Sequence, residues 1–477
     1  MTPGIAPYRL RTADEYLNSL RDSRRVFYRG EPVWDVTMHP VLGIAVRHAA
    51  LDYEMADDPR LRDLVVAEEG YSRYFKFPTS SYDLLKRSAL IEAATREGKT
   101  LVVLIKEIGT DALFALHTLA PQLGEPYASR IRGFYEHCRD GDLAMAVAQT
   151  DVKGDRSLPP SKQPNPDSYV RVIERRGDGI VVRGAKVHTS VSVNANELFV
   201  LPTRAMAAQD ADYAVAFAIP VDTPGLTLIA SPYLGAAKSA AEHPISADHK
   251  MAETLTIFDD VFIPWERVFL CGEWQLAGDL ARRFVEFHRF TAISYKLPLV
   301  DALVGAALLA ARVNGTSAAS HVRDKLAWLV SYAETLRALT HHAAEKSRLV
   351  DGLAVPNTLL VNIAKLQFAQ GLHDAFRAVQ DIAGGLLVTY PSPEDLDHPQ
   401  YGAAVNRYLS GAGGVEGAER LRVMNLISDL TTGEFGGYQA VLAVHAEGSI
   451  EAEKIAILSQ YPQEPAIAYA RRLAGLV

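Results

Sequence analysis

The sequence predicts an α+β fold in three successive parts: a mainly helical N-terminal domain (1–141), a middle β-barrel domain (142–275) and a C-terminal helical bundle (276–477). Three observations predict it. Apolar residues recur at helical spacing up to about residue 140. From there to about 275 they come in short β-rich runs separated by Pro and Gly, which reads as a compact barrel or sandwich. After Trp274 the helical period returns over long stretches.

In the first part, TADEYLNSLRDS starts with Thr12 as N-cap and has Glu15 three residues on, the spacing of a capping box. FYRGEPVWDV reads as strand, turn and strand with Arg29-Gly30 at the turn. The run from Ser80 to Ala120 has helical periodicity that we expect to be interrupted near Gly109, and IRGFYEHCRDGD is a helix ending toward Gly141. In the middle part, YVRVIERRGDGIVVRG carries a hairpin signal at Gly177-Asp178-Gly179. ELFVLPTRAM, YAVAFAIPV, LTLIASPY and TLTIFDDVFIP follow as short strands. In the last part, 322–349 places Leu326, Leu329, Ala333 and Leu336 on one face, and 357–383 has an apolar stripe stopping at Gly384-Gly385. With 295–313 and 415–430 these make four long helices, enough for a bundle.

Bulk properties narrow the function classes. A chain of 477 residues with 48% hydrophobic and 22% charged residues buries a large core and is soluble in character. A net charge of -8 argues against nucleic-acid binding, which uses a basic face. The N-terminal MTPGIAPYRLRTADEYL lacks the apolar stretch of a secretory signal. LPLVDALVGAALLAARV (297–313) is too short for a membrane span and contains Asp301, so it reads as a buried helix. Cys138 and Cys271 have no partners at metal-ligand spacing and suit a reducing, cytoplasmic setting.

The stretch Gly141 to Glu197 holds the main functional signal. GDLAMAVAQTDVKGDRS sets small residues (Ala144, Ala146, Ala148) beside Gln149, Thr150, Asp151, Lys153, Asp155 and Arg156. Small residues let backbone approach a flat ligand, and the two cations meet phosphate oxygens. An ordinary polar loop before a β-domain is the other reading of the same residues.

DLAMAVAQTDVKGDRS, GIVVRGAKVHTS and IFDDVFIPWERVF together resemble the family of 4-hydroxyphenylacetate 3-monooxygenases and 4-hydroxybutyryl-CoA dehydratases. The similarity runs from VFYRGEPVWDVTMHP to FGGYQAVLAVHAEGS. The resemblance implies an acyl-CoA dehydrogenase-like fold, a homotetramer and FAD held between the β-domain and the bundle. The positions matching the family's flavin contacts are Ala148, Gln149, Lys153, Gly154, Asp155 and Arg156, then Ser190, then Ala446, Glu447, Gly448 and Ser449.

The dehydratase branch carries an iron–sulfur cluster whose three cysteines match Val103, Glu107 and Tyr295 here, while its histidine matches His288. Iron–sulfur clusters need thiolates, so we expect no metal. The resemblance makes His288 a proton-transfer candidate, Lys296 a contact for an anionic or carbonyl oxygen, and Glu253 an acidic group near the site. The dehydratase's tyrosine one turn after the histidine is Ala292. The phenol-binding Arg, Tyr and His of the monooxygenase branch match Ile108, Ala112 and Val147. A more apolar pocket follows, with Glu107 or His288 as its polar handle.

Three functional readings result. The leading one is a two-component monooxygenase that hydroxylates an aromatic or related small substrate with O2, using FADH2 from a separate flavin reductase, since no NAD(P)H fingerprint is present. The alternative is a redox-neutral or dehydrogenating flavoenzyme acting on an acyl-CoA thioester. A non-catalytic helical scaffold is the third.

Overall fold

The computed structural model describes residues 10–233 and 238–476. The first nine residues of the N-terminal stretch read for a secretory signal lie outside the described residues.

The N-terminal segment begins with α1 (Ala13–Ser19), capped as expected: Thr12 accepts from the Glu15 amide at 3.1 Å and the Glu15 side chain accepts from the Thr12 amide at 3.0 Å. The hairpin β1 (Val26–Tyr28) and β2 (Glu31–Val33) turns at Arg29 and Gly30, both with positive φ. Helices α2 (Leu42–Glu54), α3 (Arg62–Val65), α4 (Ser81–Glu97), α5 (Glu107–Leu123) and α6 (Tyr127–Asp140) follow. The break between α4 and α5 falls at 98–106, not near Gly109. A Cβ at Gly98 would run into the Leu101 carbonyl, and Lys99, Thr100 and Leu104 all take positive φ, which the α-helix forbids. Gly109 instead lies inside α5 because Met145 packs against its bare Cα.

The middle segment supplies β3 (Met145–Ala148), β4 (Arg171–Arg175), β5 (Gly179–Ser190), β6 (Glu197–Val200), β7 (Val215–Pro220), β8 (Leu226–Ala230), β9 (Glu253–Pro264) and β10 (Val268–Cys271). They form a six-stranded sheet of order β2-β1-β8-β9-β5-β4 and a four-stranded sheet of order β10-β7-β6-β3. Of the expected barrel or sandwich, the strands form two sheets and not a closed barrel. The sheets meet where Asp151 bridges Lys186 beyond the end of β3, and among the described residues no ladder joins their other edges. The β1–β2 hairpin extends the larger sheet through parallel pairing of β1 with β8.

The C-terminal segment is led by α7 (Trp274–Val313), 40 residues long and thus much longer than the expected 295–313. Pro298 lies within it without ending it. Among the described residues α7 is the one helix long and apolar enough to cross a membrane, and 61% of its most apolar window is buried within the protein. After α8 (Ser320–Glu345) come the hairpin β11 (Arg348–Val350) and β12 (Leu353–Val355), then α9 (Thr358–Ala383). Helices α10 (Pro393–Leu396), α11 (Gly402–Tyr408), α12 (Gly417–Thr431), α13 (Glu434–His445), α14 (Ile450–Gln460) and α15 (Gln463–Leu473) complete the chain. Helix α7 is the axis of the bundle: α4, α5, α8, α9 and α12 all pack against it. Its middle turns, Phe284 to Val300, are almost wholly buried, so any polar side chain there needs a dedicated partner.

Candidate active site

Adjacent strands β5, β8 and β9 bring their ends together at one edge of the larger sheet: Ser190 lies opposite Glu253, and Ala230 opposite Thr254. Helix α13 crosses this edge. Between them lies a cavity of about 540 Å³, whose walls include His188, Ile229, Tyr233, Glu253, Tyr438 and Val441. The other side of α13 (Gln439, Leu442, Ala443) closes a second cavity of about 20 Å³, which Tyr295, Lys296 and Phe368 also line. The larger space is of ligand size, the smaller of water size.

Glu253 faces the larger cavity. Ser190 Oγ donates to it at 2.9 Å and Tyr438 Oη at 2.7 Å. No cation pairs with it among the described residues. Burial therefore prevails over these two hydrogen bonds and raises its pKa, favouring the neutral acid. Glu447 has the opposite surroundings. It accepts from Lys296 Nζ at 2.9 Å and from Tyr295 Oη, and Lys365 Nζ is 3.8 Å away. Burial pushes Glu447 up, but Lys296, Lys365 and His288 outweigh burial and hold it at about 2. Burial lowers Lys296 to about 8, even with Glu447 opposing. Lys365 is anchored in turn by Glu453 on α14. The two carboxylates are thus pushed in opposite directions by what packs around them, Glu253 toward the neutral acid and Glu447 toward the anion.

His288 lies on the buried side of α7. Its Nδ1 is 3.0 Å from Asp111 Oδ2 on α5. Asp111 Oδ1 accepts from Arg87 Nη2 at 2.9 Å and from Thr291 Oγ1 at 3.0 Å. The continuous helix puts His288 and Tyr295 on one face, as their spacing predicts. They take different partners there, Asp111 and Glu447 respectively.

The loop after β3 runs near His188, which lines the larger cavity. Ala148 ends β3, and the Gln149 carbonyl accepts from Lys186 Nζ at 2.8 Å. Lys153 (φ 74°) and Gly154 (φ 54°) take left-handed backbone, and a Cβ on Gly154 would collide with Gln163. Asp155 is committed to its own loop, accepting from the Ser157 amide at 2.9 Å and Ser157 Oγ at 2.7 Å. Arg156 is exposed and has no carboxylate partner among the described residues. His188, on the cavity wall, is lowered by burial and then by Lys153, His445 and Arg156, so four cationic or protonatable groups gather on one side. Directly after His445, the 446–449 turn caps α13 and starts α14. Ala446 donates its amide to Leu442, Ser449 is the N-cap of α14, and the Glu447 carbonyl accepts from Arg289 Nε at 2.9 Å. Gly448 has φ 110° and lies against the Arg289 guanidinium, where a Cβ would not fit.

Sequence reasoning did not find Asp111, Tyr438 or the pairing of Lys296 with Glu447. Each pair is separated by more than 150 residues, and no local pattern announces such a contact. His188 was legible within the KVHTS motif but was not singled out. Glu107 is buried at the start of α5, bonded by Tyr74 Oη at 3.3 Å and the Lys106 amide at 3.2 Å, and lines neither cavity. Ile108, Ala112 and Val147 are buried. Among the described residues no group of three His, Cys, Asp or Glu side chains is placed to hold a metal. Cys138 is buried on α6 and Cys271 ends β10, both outside the cavity walls.

Comparison with known proteins agrees along the whole length. The family described as 4-hydroxyphenylacetate 3-hydroxylase N terminal matches residues 12–270, and its C-terminal counterpart matches 277–475. The chain is 33% identical to a 4-hydroxybutyryl-CoA dehydratase/vinylacetyl-CoA-Δ-isomerase of Clostridium aminobutyricum, over 98% of this chain and 100% of that protein. It is 32% identical to the oxygenase component of a 4-hydroxyphenylacetate 3-monooxygenase of Thermus thermophilus, over 90% of each. A solved oxygenase component of 4-hydroxyphenylacetate 3-monooxygenase, complexed with FAD, superposes with a TM-score of 0.90 at 30% identity, covering 97% of this chain and 98% of that one. The fold is therefore acyl-CoA dehydrogenase-like, as the family resemblance implies. With both halves matched and relatives of either branch aligned from end to end, the chain belongs to the 4-hydroxyphenylacetate 3-hydroxylase family.

Proposed function

We propose that this chain is a flavin-dependent enzyme whose buried acid–base groups move a proton along an acyl-CoA thioester, shifting a carbon–carbon double bond. The observation that carries this reading is the contrast in partners: among the described residues Glu253 has only the Ser190 and Tyr438 hydroxyls and is pushed toward the neutral acid, while Glu447 is paired with Lys296 and Lys365 and held as the anion. Carboxyl groups driven toward different protonation states take different parts in proton transfer, here Glu253 as the donor and Glu447 as the counter-charge that holds the Lys296 ammonium. Apolar residues at the phenol-binding positions, Ile108, Ala112 and Val147, support it further, since none can bond a phenolate oxygen.

The residues present fit FAD. Lys153 and Arg156 bring cations to the wall beside His188, and the left-handed Lys153–Gly154 turn is packed against Gln163 and Ser168, which fixes the loop that carries them. Ala148, Gln149, Lys153, Gly154, Asp155 and Arg156 would hold the dinucleotide from the sheet side, with Ser190 near the ring and the 446–449 turn opposite. When bound, the flavin supplies an electron-accepting aromatic surface against the reacting carbons.

The chain's own groups do the proton work. His288 takes the proton from the carbon next to the thioester carbonyl. Lys296, whose ammonium Glu447 holds in place, donates to the carbonyl oxygen as negative charge develops there. Glu253 returns a proton to the distal carbon, and Tyr438 and Ser190 bond its carboxylate once it is charged. Proton count and oxidation state are unchanged overall.

A second reading, the two-component monooxygenase fed with FADH2 by a separate reductase, is supported by the 32% identity to the Thermus oxygenase component. The deciding experiment incubates FAD-loaded protein with vinylacetyl-CoA under nitrogen and without reductase, following formation of the conjugated isomer. Conversion supports the proton-transfer reading. No conversion, together with O2- and reductase-dependent hydroxylation of a phenol or indole, would replace it with the second. We carry a homotetramer as part of either reading.

A further inference from the structure

We propose that Asp111 is a positioning residue that fixes the His288 imidazole with its proton on Nδ1, leaving the Nε2 lone pair free to accept the substrate's proton. The inference deepens the proton-transfer reading above and rests on it. Asp111 is fully buried on α5 and accepts on both oxygens. Arg87 Nη2 (2.9 Å) and Thr291 Oγ1 (3.0 Å) donate to Oδ1, so Oδ2 is the atom left for the His288 ring nitrogen at 3.0 Å. An ionised carboxylate only accepts, so the nitrogen facing it must carry hydrogen.

The carboxylate cannot swing away. Arg87 is itself held by the Tyr74 carbonyl (3.0 Å), the Glu107 carbonyl (3.0 Å) and Thr110 Oγ1 (2.8 Å). The imidazole also lies parallel to Phe284, one turn earlier on α7, with ring centroids 5.1 Å apart and planes 16° apart. Ring plane and tautomer are thus both set, while Nε2 has no hydrogen bond to any described residue. A histidine whose far nitrogen is anchored by a carboxylate presents one defined nitrogen to its reaction partner.

The substitution Asp111→Asn makes a sharp test. Arg87 and Thr291 are donors, so the amide oxygen stays with them and the amide NH2 turns toward Nδ1. That nitrogen must then accept, and the proton moves to Nε2, where it blocks the base. For isomerisation we expect a fall in kcat on the order of 10²–10⁴, as wrong-tautomer variants of carboxylate–histidine pairs show, with KM changed by no more than about 3-fold.

The tautomer itself is read independently of activity, by ¹⁵N NMR of histidine-labelled full-length protein with the His288 signals assigned from the His288→Gln variant. The expected wild-type pattern is a protonated Nδ1 and an unprotonated Nε2, reversed in Asp111→Asn. An unprotonated Nδ1 in the wild type would overturn the proposal without any variant having to fold. So would a normal kcat in a folded Asp111→Asn protein whose tautomer has reversed. Wild-type protein that shows the expected tautomer but isomerises no acyl-CoA counts instead against the reaction assigned to the site.

Discussion

Replacing Glu447 by Gln removes the negative charge from the most densely charged part of the site while keeping its size. At 2.9 Å from Lys296 Nζ, the direct attraction is about 6 kcal/mol at an effective dielectric constant of 20. Desolvation of both ions offsets part of it. Holding Glu447 at about 2 against an ordinary 4.5 is worth about 3 kcal/mol of folded-state stability. This stability is present above pH 4.5 and is lost as pH falls through about 2. Lys296 works the other way. Lowered from 10.5 to about 8, it costs about 3 kcal/mol below pH 8, and the cost is relieved as pH rises from 8 to 10.5.

In Glu447→Gln the acid-side contribution disappears and Lys296 loses its main counter-charge. The expected loss at pH 7 is about 3–5 kcal/mol, the usual cost of stripping one partner from a buried ion pair. Urea denaturation of both proteins across pH 3–10 measures it. The gap should be widest near neutrality and narrow below pH 4.5. A difference under about 1 kcal/mol at pH 7, or one that stays constant down to pH 3, would refute the reasoning.

Three other outcomes are expected. Glu253→Gln keeps hydrogen-bonding partners for Ser190 and Tyr438, so the fold should survive while isomerase turnover drops on the order of 10²–10⁴-fold; turnover within about 3-fold of wild type would remove Glu253 from the reaction. Gly448→Ala combines a left-handed backbone (φ 110°) with a collision against Arg289. It should destabilise by about 1–3 kcal/mol and loosen the grip on the Glu447 carbonyl, seen as a lower thermal midpoint and poorer flavin retention on gel filtration. Lys153→Ala and Arg156→Ala should each weaken FAD binding on the order of 10-fold, with a shallower salt dependence by fluorescence titration; unchanged Kd values in both would move the pyrophosphate away from this loop.

Local features were legible in the sequence where the controlling interactions are themselves local. The Thr12–Glu15 box, the Arg29-Gly30 turn, the hairpin at Gly177–Gly179 and the end of α6 at Gly141 each depend on residues a few positions apart. Resemblance drew attention to the loop after β3, His288, Lys296 and Glu253, and the structure places all of them around the edge of the larger sheet and the middle of α7. Periodicity did not locate the break between α4 and α5. Apolar spacing continues across 98–106, and what stops the helix is the left-handed backbone of Lys99, Thr100 and Leu104, with Gly98 leaving room for the Leu101 carbonyl.

By itself, then, the sequence determined the order helix, sheet, helix, because side-chain period and turn chemistry act over a few residues. Through the family resemblance it also pointed to His288, Lys296 and Glu253, which the proposed reaction uses. Only the tertiary structure decided their charge states and partners. Asp111 reaches His288 across 177 positions, Tyr438 reaches Glu253 across 185, and Lys296 reaches Glu447 across 151. Two glutamates identical in sequence terms are pushed in opposite directions, one toward the acid and one toward the anion, because one is buried beside hydroxyls and the other beside ammonium groups. Desolvation and Coulomb attraction depend on what surrounds a group in space, and spacing along the chain carries no record of that.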